Sequence, residues 1–189
     1  LHDALPIWVY TVDMATPKEC MEVAPWDSVA AYEEFLKLKV KELEYLYTGD
    51  ETEICGLKVR VLNAFGEHVK QHSRDYLNDG SLMFRVSAKK QSMLFCADVG
   101  ASVSDYLLKR WSDILPTDYL QMGHHGYGGL KDDFYHKVNP KVAFFDAPAH
   151  MMLDESGKYD NPEHVKLMEG MGSEIYSFIG GPIHSVVLR

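Results

Sequence analysis

The chain has 189 residues, of which 46% are hydrophobic and 25% charged, as in ordinary globular proteins that form one domain or half of a larger one. Its formal net charge of −9 argues against stable nucleic-acid binding, which requires a basic surface. No apolar stretch approaches the roughly 20 residues that cross a bilayer, and the three scattered cysteines predict neither a disulfide framework nor a Cys-x-x-Cys metal pair.

The N-terminal quarter is predicted to contain one strand and one long helix. Residues 1–7, LHDALPI, look like a non-native leader, so a single domain is expected over residues 8–189. Residues 8–12 are β-prone, and residues 16–26, with two prolines, indicate a loop. Residues 29–47 carry a helical stripe of apolar side chains opposite a charged face.

The next stretch predicts a strand and a polar surface segment. Residues 57–62 alternate apolar and basic side chains, the pattern of a half-buried strand. Residues 63–79 are polar and contain His68 and His72. A spacing of four would place both on one helical face, where a metal could use them, whereas the composition favours an ordinary surface segment.

The central stretch is predicted to bring acidic and imidazole side chains close together. Residues 82–86 and 93–97 predict a hairpin whose second strand leads to Asp98. A helical apolar pattern follows over residues 103–115, and the next apolar run ends at His124 and His125. Such a crossover makes the two strands parallel. Asp98 and the His pair are therefore expected together at the carboxyl edge, where they suit Zn or Mn.

Simpler interpretations of these residues remain open at this point. Asp98 could be a helix N-cap, and two histidines in a glycine-rich turn could simply be exposed. The run Gly126–Gly129 could let backbone approach a ligand closely, or it could only form a turn.

The C-terminal third predicts two helices and three further strands. A short helix over 130–138 precedes a strand over 141–145 that ends at Asp146, which could support the site, contact substrate or lie in an exposed loop. Residues 147–161 indicate a loop. Asn161 is expected to cap the next helix with Pro162 at its first position, and His164 is expected at the surface. Strands over 174–179 and 183–188, the latter with His184, complete the chain.

Three segments resemble the second half of a metallo-β-lactamase-fold hydrolase. They are NDGSLMFRV, SMLFCADVG and DYLQMGHHGYGG, and the likeness extends from about residue 56 to the C-terminus. The nearest type is the hydrolase domain of the competence DNA-uptake channel protein and its uncharacterised relatives. The matching positions are Asn78, Ser81, Leu82, Asp98, His124, His125 and Gly126.

This resemblance implies a fold and a set of roles. The fold would be α/β, the C-terminal half of an αββα sandwich with a mixed sheet and flanking helices. Asp98 would bridge two zinc ions, one of His124 and His125 would bind the second ion, and the other would act as acid or phosphate contact. Gly126, Asp146 and Asn161 are candidate substrate contacts; relatives often have His-Pro where this chain has Asn161-Pro162.

One departure from the family pattern is large. The family's main metal-binding motif, H-x-H-x-D-H, is absent, so the chain is expected to be a partial domain without its first half. The intact parent would then hydrolyse a phosphoester or other small molecule with a metal-activated hydroxide. The alternative is a non-catalytic binding or assembly module. A doubly wound nucleotide-binding domain is disfavoured because no G-x-G-x-x-G turn or P-loop is present. A half-sandwich should also leave one sheet face uncovered and self-associate.

Overall fold

A computed structural model describes residues 8–26 and 28–180. The predicted leader, and the predicted last strand with His184, lie outside the described residues. Within them, no helix combines the length and the apolar character needed to cross a membrane.

The described chain alternates strands and short helices, with three additional 3₁₀ turns at Ala101–Val103, Gly123–Gly126 and Phe178–Gly180. The strands are β1 (Trp8–Thr11), β2 (Glu42–Tyr45), β3 (Glu51–Ile54), β4 (Leu57–Asn63), β5 (Met83–Ser87), β6 (Ser92–Phe95), β7 (Tyr119–Gln121), β8 (Val142–Phe145) and β9 (Glu174–Ser177). The helices are α1 (Pro17–Val23), α2 (Ala30–Phe35), α3 (Glu67–His72), α4 (Tyr76–Asp79), α5 (Ser104–Trp111), α6 (Asp132–Val138), α7 (Ala149–Met152) and α8 (Asn161–Gly170).

Seven strands of the described chain form one mixed sheet in the order β3-β4-β5-β6-β7-β8-β9, and β1 pairs with β2 in a separate parallel pair. Strands β3 to β6 are antiparallel neighbours, and β6 to β9 are parallel neighbours. The predicted hairpin and strand–helix–strand crossover are therefore present. Because β6, β7 and β8 run in one direction, their carboxyl ends share one edge.

One face of the parallel region forms the main core with the crossover helices. Leu94, Leu120 and Ala143 are matched across β6, β7 and β8, and each is fully buried. Leu107 of α5 and Phe134 of α6 belong to the same buried cluster. Burial of such side chains is worth about 1.5–3 kcal/mol each. This packing fixes the strands that carry the candidate site residues.

The opposite face of the sheet carries aromatic side chains that are only half-buried. Phe84 stacks on Phe95 at 4.9 Å between ring centroids, and Phe144 stacks on Tyr176 at 5.6 Å. The first pair lies on β5 and β6 and the second on β8 and β9, and Gln121 of β7 lies between them in register. An apolar surface of this kind is typical of a face that packs against another layer.

We expect this aromatic face to make the isolated chain self-associate. Phe144→Glu places a charge on this face and should shift the protein toward the monomer in sizing chromatography with light scattering. Leu153→Glu is the matched control, because Leu153 is 62% exposed beyond the end of α7. A wild-type chain that is monomeric at high concentration would contradict the expectation.

The structure corrects two predictions in the N-terminal part. The predicted loop over residues 16–26 contains α1, because Thr16 and Glu19 form a reciprocal capping box and a proline occupies the first turn. The predicted helix over 29–47 is instead the short α2 followed by β2. Strand β2 exists because it pairs with β1, a partner that local periodicity does not reveal.

Three further corrections concern the region around α8. The predicted loop over 147–161 contains the short helix α7. Asn161 is not the N-cap of α8; Asp160 holds that position, and Asn161 is the first helical residue. His164 is buried rather than on the surface, because its ring packs against Tyr135 and bonds the chain at Gly126.

Candidate functional site

Asp98 lies in a tight turn directly after β6. Ala97 adopts a left-handed backbone conformation with φ of 47°, which is uncommon for a residue with a side chain. Two groups hold the turn: the Gln121 Oε1 atom accepts bonds from Cys96 N and Ala97 N, each at 2.9 Å, and Asp79 Oδ1 accepts from Gly100 N at 2.8 Å. The Asp98 position is thus set by side chains from other elements.

The His pair lies in an unusual turn after β7. His124, His125 and Gly126 all have positive φ, at 48°, 59° and 83°. Left-handed conformations cost about 1–2 kcal/mol for residues with side chains, so this turn requires support. His124 N donates to Ala97 O at 2.8 Å. This bond connects the turn over residues 124–126 (the His turn) with the turn over residues 96–100 (the Asp98 turn).

The N-terminal part of α8 supplies the remaining support. Asn161 Nδ2 donates to His125 O at 2.8 Å, and His164 Nδ1 lies 2.8 Å from Gly126 O and is therefore the donor in this pair. Successive carbonyl groups of the left-handed turn are thus bound from one helix.

His125 stands between two carboxylates. Its Nε2 atom lies 3.3 Å from Asp98 Oδ1, and its Nδ1 atom lies 3.3 Å from Asp146 Oδ2. The Nδ1 atom is buried, and no acceptor among the described residues is aligned with it for a hydrogen bond, so the Asp146 contact is electrostatic rather than a directed bond. All three side chains are close to two-fifths exposed, at 43% for His125 and 39% for each aspartate. The cluster therefore lies at an accessible rim.

His124 points elsewhere. Its ring is edge-on to that of His125 at 6.3 Å between centroids and edge-on to that of Tyr127 at 5.8 Å. Among the described residues, His124 forms no ion pair with a carboxylate. The sequence left open which histidine accompanies Asp98, and the geometry places His125 there.

Asp98 and His125 fit two neighbouring positions of a metal site. Two ligands that each lie ~2.1 Å from a tetrahedral zinc ion are about 3.4 Å apart, and the observed separation is 3.3 Å. In residues 8–26 and 28–180, no group of three or more His, Cys, Asp or Glu side chains could hold an ion by itself. Within the described residues, Asp98 and His125 are thus two side chains close enough to share an ion.

Two of the residues expected to contact substrate are buried. Asn161 has no exposed surface, and its amide is used on His125 O. Gly126 is buried, and a Cβ added there would lie 2.7 Å from the ring of Phe145. Gly126 is thus a buried part of the turn that carries the two histidines, and Asn161 binds that turn, whereas Asp146 remains accessible beside His125.

A buried network behind the site was not anticipated. The carboxylate of Asp79, only 4% exposed, accepts bonds from Gly100 N and, at 2.6 Å, from Ser73 Oγ. Asn63 Nδ2 donates to Asp79 O at 2.8 Å, and Asn63 Oδ1 lies 2.8 Å from His68 Nε2. The only sequence signal was that Asp79 lies inside the matched NDGSL segment.

His68 belongs to this network rather than to a metal pair with His72. Its ring stacks on Tyr106 at 4.2 Å between centroids, while His72 is exposed. Burial, followed by the nearby charges of Arg110 and His72, lowers the pKa of His68 to about 4. At neutral pH His68 is therefore an uncharged structural group.

Comparisons with known proteins support the fold alone. No family model matches the chain. No curated protein matches it significantly either. Among solved structures it is similar to CmlA, a diiron β-hydroxylase from Streptomyces venezuelae, with 12% identity and a TM-score of 0.52 over 78% of this chain and 35% of that one. The chain thus spans about a third of the hydroxylase's length.

Two other solved structures are more weakly similar. The metallo-β-lactamase fold protein YhfI from Bacillus subtilis is 10% identical, with a TM-score of 0.47 over 91% of this chain and 61% of that one. Igni18, a metallo hydrolase from Ignicoccus hospitalis, is 13% identical, with a TM-score of 0.47 over 93% and 77%. The predicted mixed α/β sheet with flanking helices is confirmed, and the specific relationship to the competence protein is not shown.

Proposed function

We propose that the chain forms one side of the metal centre of a metal-dependent hydrolase, with Asp98 and His125 as ligands. The observation that carries this proposal is the 3.3 Å approach of Asp98 Oδ1 to His125 Nε2 at the shared carboxyl edge of β6 and β7. Further ligands would come from outside the described residues. Zinc suits a carboxylate beside an imidazole, and Mn is the second candidate.

Asp146 would orient His125 for this role. A carboxylate beside Nδ1 favours the tautomer that carries its proton on Nδ1, which leaves the Nε2 lone pair on the side of Asp98. The second oxygen of Asp98 would serve a second ion in a two-metal centre. Such an ion supplies Lewis acidity and lowers the pKa of bound water to about 7.

The proposed substrate class is a phosphoester acted on by the intact parent protein. The support for this substrate class is the resemblance of the three sequence segments to metallo-β-lactamase-fold hydrolases. His124, which is not engaged with a carboxylate of the described chain, would be a proton donor or a contact to phosphate. Gly126 and Asn161 would not contact the substrate, because Gly126 is buried and the Asn161 amide binds His125 O.

Metal analysis tests the ligand assignment directly. The purified chain should bind zinc, and Asp98→Ala and His125→Ala should each abolish or strongly weaken that binding in equilibrium dialysis with elemental analysis. Asp133→Ala and His136→Ala are matched controls, because both residues are exposed on α6 and should leave zinc binding unchanged. Zinc binding that is insensitive to all four substitutions would reject Asp98 and His125 as ligands.

A non-catalytic binding or assembly module is the second candidate. The partial ligand set within the described residues and the half-buried aromatic face favour it. Hydrolysis of bis(p-nitrophenyl) phosphate in the presence of zinc or manganese separates the two candidates. Turnover that disappears in Asp98→Ala supports the hydrolase, whereas zinc binding without turnover, together with stable self-association, supports the module.

A further inference from the structure

Gln121 links the two turns that flank His125. It is the last residue of β7, which lies between β6 and β8, and its side chain reaches the carboxyl ends of both neighbours. We propose that Gln121 is a positioning residue that sets the distance between the Asp98 turn and Asp146. This inference rests on the proposed metal centre, because the two carboxylates whose distance it sets are those on either side of His125.

The acceptor half of the Gln121 amide holds the Asp98 turn. The ladder between β6 and β7 ends with Phe95 opposite Gln121. The next two amides, Cys96 N and Ala97 N, would lack a strand partner, and Gln121 Oε1 accepts from both at 2.9 Å. Cys96 is fully buried, so water cannot replace this bond. The side-chain oxygen thus takes the place of a backbone carbonyl beyond the end of the strand.

The donor half of the same amide faces Asp146. Gln121 Nε2 donates to Met122 O at 2.7 Å and lies 3.4 Å from Asp146 Oδ1. The other oxygen of Asp146 is the one that lies beside His125 Nδ1. Gln121 contacts both Ala97 and Asp146. Asp146 contacts His125, which in turn contacts Asp98, the neighbour of Ala97. The contacts therefore form a closed ring that includes Gln121.

Only a side chain of this length that carries both a donor and an acceptor can hold the Asp98 turn and also contact Asp146. Glutamate keeps an acceptor for the two amides but places a second oxygen against Asp146 and Met122 O, which repels them. Methionine has nearly the same length but can make neither the contacts with the two amides nor the contact with Asp146. These two substitutions separate the two functions of the amide.

The experiment measures zinc affinity and amide hydrogen exchange in the full chain. Gln121→Met should speed exchange at Cys96 and Ala97 about tenfold, the factor for one net hydrogen bond, and should weaken zinc binding about 10- to 100-fold, as loss of a group that orients a ligand does. Gln121→Glu should keep slow exchange yet lose zinc affinity as much as Asp146→Asn does. The control is Gln91→Met in the exposed β5–β6 turn, which should change neither quantity.

Coupling between Gln121 and Asp146 distinguishes positioning from a merely structural role. If Gln121 acts through Asp146, the double variant Gln121→Glu with Asp146→Asn should bind zinc no more weakly than Asp146→Asn alone. Full additivity, or wild-type affinity and exchange in Gln121→Met, would overturn the inference. A wild-type chain that binds no zinc would instead reject the proposed function. In that case, unchanged amide hydrogen exchange in Gln121→Met would separately reject the positioning role of Gln121.

Discussion

Replacing Gly126 by alanine is expected to destabilise the protein by about 2–5 kcal/mol, the sum of about 1–2 for a left-handed residue and about 1–3 for overpacking. The φ of Gly126 is +83°, and a Cβ there would meet two ring carbons of Phe145 at 2.7 and 2.8 Å. Phe145 is buried in the main core, so its ring cannot move aside freely. The loss is a large part of the total stability of a typical domain.

Gly128→Ala is the control for this prediction, because Gly128 lies two residues away and also has a positive φ of +55°, while no atom of the described residues lies within 4 Å of its added Cβ. It should cost only the conformational penalty of about 1–2 kcal/mol. Urea unfolding followed by circular dichroism gives both values, with the midpoint lowered further in Gly126→Ala. Equal midpoints for the two variants would mean that the close approach to Phe145 is not a real constraint.

Removal of the Asp79 carboxylate is the second substitution with a large expected effect. Asp79→Ala leaves the buried amide of Gly100 without its acceptor, while the hydroxyl of Ser73 keeps only its bond to Asp75 O at 3.0 Å. An unsatisfied buried donor costs about 1–3 kcal/mol, so a loss in this range is expected. Since Gly100 lies two residues beyond Asp98, zinc binding should weaken as well.

The conservative variant Asp79→Asn refines this result. Its amide oxygen can still accept from Gly100 N, while its amide hydrogens can face the hydroxyl oxygen of Ser73. It should therefore lose less stability than Asp79→Ala, as measured by urea unfolding. Asp113→Ala, at an exposed position after α5, is the surface control and should stay within about 0.5 kcal/mol of wild type. If Asp79→Ala resembled this control, the buried network would not support the Asp98 turn.

The parallel region of the fold was predictable because its signals are local. Apolar runs bounded by polar residues predicted β6, β7 and β8, and helical periodicity predicted the helix between the first two. The N-terminal segment was not predictable in the same way. Residues 29–47 have the pattern of a helix, but part of that segment pairs with β1, and pairing across the sheet outweighs local preference.

The arrangement of the site was predictable in outline only. Shared strand direction was enough to bring Asp98, the His pair and Asp146 to one edge. The choice of His125 over His124 depends on a left-handed turn, which the sequence does not specify for residues other than glycine. Gln121 and His164 were missed because their partners are backbone atoms of these turns, and such partners leave no pattern in the sequence.

Anomalous diffraction at the zinc edge, from crystals of this chain soaked in zinc, tests the central claim most directly. The account predicts a peak about 2.1 Å from both Asp98 Oδ1 and His125 Nε2, and its loss in His125→Ala crystals. Ordered Asp98 and His125 side chains with no peak between them, or a peak only at another histidine such as His72, would contradict it.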